Sequence, residues 1–152
     1  MSPRNHPDLW GNKKIRFTNE GGLAVRLTNK TGAVSVKGTL VDAHTTINNA
    51  FKLVPVNEPD CIGAVYDSGV ADGSECWVVV SGIADVMFVG NTTAGHFARV
   101  TVTADTGDQA GYAISEAVPT SPFATDKHFQ EIGHVLEART GSGLAKVILH
   151  FN

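Results

Sequence analysis

Six histidines, His6, His44, His96, His128, His134 and His150, are the side chains best suited to bind a metal or move a proton near neutral pH. No two of them follow the HxH or HExxH spacing that puts a pair of ligands on one face of a strand or helix. His128 and His134 lie close in sequence to Glu131 and Glu137, and a β fold can bring such residues together where their spacing does not. The spacing itself favours the plainer reading, surface or capped core histidines, and assigns no metal ligand. Glu58, Asp60, Asp67, Asp72, Glu75 and Asp85 are numerous enough to suggest calcium, but they lack the D-x-D-x-D-G order of a calcium loop and read as solvated turn residues. Ser81 and Ser142 each precede a glycine without the GxSxG elbow that exposes a nucleophile. Thr140-Gly-Ser-Gly143 lacks the Gly-Lys-Ser/Thr ending of a phosphate loop and precedes an alternating run, so it reads as a hairpin turn. Cys61 and Cys76 make no CxxC pair and read as small buried hydrophobes, with a disulfide between them left open. No catalytic residue and no cofactor follow, and the chain reads as non-enzymatic.

The elements that must carry these residues are short β runs separated by turn residues. Leu23–Leu27 alternates, and Val34–Gly38, Thr39–Val41, Phe51–Val54 and Cys61–Tyr66 follow, broken by Asn, Asp, Gly and Pro. Cys76-Trp-Val-Val-Val80 is an unbroken apolar, β-branched run that predicts a buried central strand. Gly82 divides it from Ile83–Val89. Phe97–Thr103, Tyr112–Ile114, Phe129–Ala138 and Ala145–Phe151 complete the series, and Asp126–Gly133 offers a short helical turn. In the last run Val147, Leu149 and Phe151 share one face and Lys146, Ile148 and His150 the other. The predicted fold is all-β, a small bent β-barrel or β-sandwich over residues 23–152, with residues 1–22 as an extended N-terminal arm marked by Pro3, Pro7 and Gly21-Gly22. At 152 residues there is length for one domain with a substantial core.

Charge is distributed unevenly. Through Lys37 there are seven basic residues against Asp8 and Glu20, a net +5, so with −3 overall the remainder carries −8. A basic front before an acidic body suits docking of the front onto an acidic partner surface. The overall charge and a pI near 6.0 argue against a nucleic-acid binder, and the two tryptophans do not alternate with basic residues as a stacking platform would. No run approaches the ~18 apolar residues of a membrane span, so a soluble protein made in the cytoplasm is expected. Leu9-Trp10, an apolar pair in a polar arm, is a natural anchor for a pocket either on its own domain or on a partner.

Five segments, Val36-Lys-Gly-Thr-Leu-Val41, Cys61-Ile-Gly-Ala-Val65, Gly69-Val-Ala-Asp-Gly73, Val80-Ser-Gly-Ile-Ala-Asp-Val86 and Glu131-Ile-Gly-His-Val135, carry a resemblance in their order. From about Leu23 to the end the chain resembles the small capsid decoration, or head-stabilising cement, proteins of tailed bacteriophages. The resemblance implies a structural protein on the outer capsid surface of the virion, with the major capsid protein as partner. It also implies a homotrimer at three-fold positions and a terminal arm reaching over the shell. On that reading Leu9, Trp10, Lys13, Lys14 and Arg16 of the arm make the capsid contact, without nucleic acid or membrane. Two other readings stay open. Tyr66-Asp-Ser-Gly69 faintly echoes a dUTPase-like β-trimer enzyme, without its ordered set of motifs, and the Asn-, Thr- and Asp-rich loops would suit a carbohydrate-binding or adhesin module.

Overall fold

The computed structural model describes residues 14–120 and 128–151. These form ten strands: β1 (Ile15–Phe17), β2 (Gly22–Asn29), β3 (Leu40–Ala43), β4 (Ala50–Leu53), β5 (Gly63–Val65), β6 (Glu75–Phe88), β7 (Phe97–Val100), β8 (Ala113–Glu116), β9 (Glu131–Val135) and β10 (Gly143–Leu149). The fold is all-β, as the turn spacing predicts. His128 and Phe129 belong to a helical turn that leads directly into β9.

Strand pairing runs β1-β2-β4-β3-β5-β6-β10-β9-β7-β8, and two further pairings, β2 with β6 and β6 with β8, turn this ribbon back on itself. The result is a pair of five-stranded circuits, β2-β4-β3-β5-β6 and β6-β10-β9-β7-β8, that share β6. Closing a sheet in this way removes most free edges.

A 14-residue strand serves both circuits because it changes face partway. Leu23 pairs with Ser81 but Ala24 pairs with Val79, which leaves Val80 as the extra residue of a bulge. Val79 and, beyond the bulge, Ala84, Val86 and Phe88 all point into the larger apolar cluster, with Leu40, Val54, Val100, Ile132, Val147 and Leu149. Without the extra residue, positions 79 and 84 would face opposite ways. Cys76 and Val78 point instead into a smaller cluster with Val41, Phe51 and Val65. Gly82 has a φ of +77° and lies so close to the chain opposite that a Cβ would stand 2.5 Å from the Gly21 carbonyl oxygen. The two runs that Gly82 divides in sequence are therefore one strand.

Two further differences from the sequence reading have local causes. Ile15–Phe17, in the stretch read as an arm, pairs with Leu23–Val25 through a tight turn in which the Thr18 hydroxyl accepts from the Gly22 amide. Val34–Gly38 is a loop, because Ser35 is bound to the 67–70 loop: its hydroxyl donates to Asp67 O and its amide to Val70 O. Cys61 and Cys76 are buried, as the sequence reads them, and both are free; burial pushes the Cys61 thiol up to about 12. The alternation read for Ala145–Phe151 is as predicted, with Val147 and Leu149 buried and Ile148 and His150 exposed.

Candidate functional site

Two outer faces of the sheet gather functional side chains. The first lies around β1. Register places Arg16 opposite Ala24 and Arg26 opposite Trp77, so Arg16, Arg26 and Trp77 share a face. The Arg16 guanidinium sits 4.7 Å from the Trp77 ring centroid and 4.9 Å from that of Tyr66. Lys37 Nζ lies 4.8 Å from the Tyr66 centroid, and the Tyr66 hydroxyl donates to Glu20 at 3.1 Å. Such cation–π contacts hold β1 to the body. On its other face β1 turns Ile15 and Phe17 to solvent, 49% and 83% exposed.

Of the residues assigned to capsid contact, Lys14 and Arg16 are described, and both have partners within the chain. Lys14 pairs with Glu75 at 2.8 Å, which also takes Arg26 at 2.8 Å. Leu9, Trp10 and Lys13 lie outside the described residues. Lys30 pairs with Asp72, and Lys37 lies near both Asp85 and Glu20. The basic front is thus matched in part by acids of the body. Hydrogen bonds from the Gly32 amide and Lys30 hold Asp72 below the usual carboxylate range, and Lys14 does the same for Glu75. The Asp85 carboxylate accepts from Lys146 and raises that ammonium's pKa. These acids are dispersed in separate ion pairs, not gathered around one cation.

The second face is built by β9 and β10. Glu131 and His134 are three apart and would face opposite ways on a regular strand. In β9, however, Ala98 pairs with Gly133 and Arg99 with Glu131, so Ile132 is the extra residue of a bulge and Glu131 is turned onto the face of His134. Gly133 has a φ of +152°, and a Cβ on it would stand 2.0 Å from Ile148 O, so only glycine allows β9 to lie this close to β10. His134 pairs with Ile148, which puts His150 diagonally beside it on the same face. Glu131 Oε1 then lies 3.3 Å from His134 Nε2 and 3.5 Å from His150 Nε2, and Glu131 Oε2 lies 3.1 Å from His128 Nδ1. The His134 and His150 ring centroids are 5.0 Å apart. Glu131 is 10% exposed, while His134 and His150 are 43% and 45% exposed, so the cluster has a covered carboxylate and an open rim.

Arg99, the strand partner of Glu131, is buried between Asp105, two hydrogen bonds at 2.8 Å, and Glu116. Its burial works against the charge, but the two carboxylates outweigh it and raise its pKa. Glu137, the other acid near these histidines in sequence, accepts from the Lys146 amide instead. Convergence of His128 and His134 on Glu131 was open to the sequence; His150 was missed, because neither the β9 bulge nor the strand register is visible in residue spacing.

A cleft of about 630 Å³ opens beside β3 and β4, lined by Asp42, Lys52, Glu58 and Asp60 among others. Asp42 is buried, with Oδ2 accepting from Lys52 Nζ at 2.7 Å and Oδ1 without a hydrogen-bond partner among the described residues. Ser142 accepts from the Gly90 amide in the turn before β10, as expected of a turn residue. No family model matches the chain, and no curated protein matches its sequence.

Proposed function

We propose that this protein is a structural component of a tailed-phage head that binds the outer capsid surface and stabilises the shell. The reading rests on the ordered glycine-centred segments, and the observation that best supports it structurally is β1. This strand follows the basic N-terminal segment, presents Ile15 and Phe17 to solvent, and among the described residues pairs with β2 along one side alone. An apolar edge strand offers unpaired backbone groups and side-chain anchors together, which suits addition to a partner. Cation–π contacts from Arg16 fix the strand in place, so less ordering is required when a partner arrives.

In this reading the partner is the major capsid protein, and the protein acts as a homotrimer on the outside of the virion. Linking three subunits raises the effective concentration of each remaining contact once one has docked, which lets weak contacts add up. The protein has no catalytic part in this role.

Co-sedimentation with mature and unexpanded phage shells is the test. Saturable binding to mature shells is expected, weakened by removal of residues 1–13 and by F17D, each of which leaves β2–β10 intact. Binding to both shells alike, or undiminished binding by the doubly altered protein, overturns the assignment of the contact. Light scattering tests the trimer: a mass near 48 kDa, three times the 16.0 kDa chain, is expected.

A further inference from the structure

Independently of the capsid reading, we propose that Glu131, His134 and His150 form a binding site for one divalent transition-metal ion of the zinc type, which staples β9 to β10. Each of the three residues offers one ligand atom, and these atoms all lie within 4.8 Å of one another. Zinc bonds of about 2.0–2.2 Å at tetrahedral angles separate neighbouring ligand atoms by about 3.4 Å. The two separations from Glu131 Oε1, 3.3 and 3.5 Å, are therefore already those of two edges of a zinc tetrahedron. The donor set, two imidazoles and one carboxylate, selects borderline metals over calcium or magnesium, which prefer oxygen alone.

The backbone is committed to this convergence. The extra residue Ile132 turns Glu131 toward His134, and the close approach at Gly133 brings β10 near enough to deliver His150. His128 lies against the second oxygen of Glu131, where it orients the carboxylate without using Oε1. With three protein ligands and a half-exposed rim, the fourth position faces solvent and takes water or an outside donor.

The experiment uses tag-free, full-length protein stripped with chelator, titrated with Zn²⁺ by calorimetry and with Co²⁺ by visible absorption. One zinc per chain is expected, together with the intense visible bands of four-coordinate cobalt, bleached when zinc is added. Zinc should also raise the midpoint of thermal unfolding, because a ligand bound only to the folded state stabilises it. H134A and H150Q should abolish the site, and H128Q should weaken it by roughly 10–100-fold, the usual cost of losing a supporting hydrogen bond. H44Q, altered far from the cluster in sequence, should bind as the parent does. Absence of stoichiometric uptake, a pale six-coordinate cobalt spectrum, or equal binding by H134A, meaning an adventitious ion only, overturns the proposal. Should H134A not fold, the cobalt spectrum of the parent protein decides alone.

Discussion

The faces around β1 and around β9–β10 both collect polar side chains on the outside of the same sheet, and they are put together differently. Around β1 each cation has a counterpart: Arg16 lies over two aromatic rings, Lys14 and Arg26 meet Glu75, and Lys37 lies near Asp85 and Glu20. Around β9–β10, three imidazoles surround a single carboxylate, and Arg99, the strand partner of Glu131, is bound to Asp105 and Glu116. The first face is matched within itself and holds a strand that, among the described residues, pairs along one side alone. The second is a set of donors around one point, which is the arrangement a metal ion completes. A bulge lies behind each, Val80 in β6 and Ile132 in β9, beside a glycine where no Cβ fits.

The contrast can be broken from either side. The largest effect is expected at Arg99. R99A removes the buried guanidinium that Asp105 and Glu116 both bond, and breaking a buried ion pair on one side costs about 3–5 kcal/mol. Urea unfolding should show that loss as a lower midpoint. An intermediate effect is expected from the two glycines. G82A forces a Cβ toward Gly21 O and should loosen β1, while G133A forces one toward Ile148 O and should separate β9 from β10. Backbone strain of this kind costs about 1–3 kcal/mol per site. The two variants should separate in hydrogen exchange, G82A exposing amides of residues 15–25 and G133A those of 131–135 and 147–150. If both loosen the same amides, the faces are not independent. A smaller loss, about 0.5–1 kcal/mol for a cation–π contact at an exposed site, is expected for R16A in the same unfolding assay.

The smallest effect serves as a control on both faces. Cys61 and Cys76 are buried and free, and desolvation raises both thiol pKa values, to about 12 for Cys61. A thiol reacts as the thiolate, so at pH 8 a disulfide reagent should label neither cysteine in the parent protein and both after denaturation. Rapid labelling of native protein would show that the shared core opens, and that the faces cannot be treated as separate.

Much of the fold was legible because burial imposes a period of two. Val147, Leu149 and Phe151 against Lys146, Ile148 and His150 is such a pattern, whereas Cys76–Val80 reads as a central strand because its run is apolar on both faces. What was illegible depends on a one-residue shift. Nothing in Val80-Ser-Gly82 says that β6 continues through the bulge with its faces exchanged, and Ile132 reads as any strand residue. Because that shift decides which side Glu131 takes, its convergence with His150, 19 positions along the chain, was out of reach. Ile15–Phe17 reads as arm because Gly21-Gly22 suits a flexible joint as well as the tight turn it helps form. The ion pairs of Lys14, Arg26 and Lys30 were hidden for a related reason: a charge count along the chain does not show which acids the sheet brings beside which bases.

The most direct test of where a capsid would dock is hydrogen exchange on the protein alone and bound to mature shells. Amides of residues 14–18 are expected to exchange more slowly on the shell, while those of β9 and β10 keep their solution rates. Protection confined to β9 and β10, or unchanged exchange at residues 14–18 in protein that is demonstrably shell-bound, would contradict docking through β1.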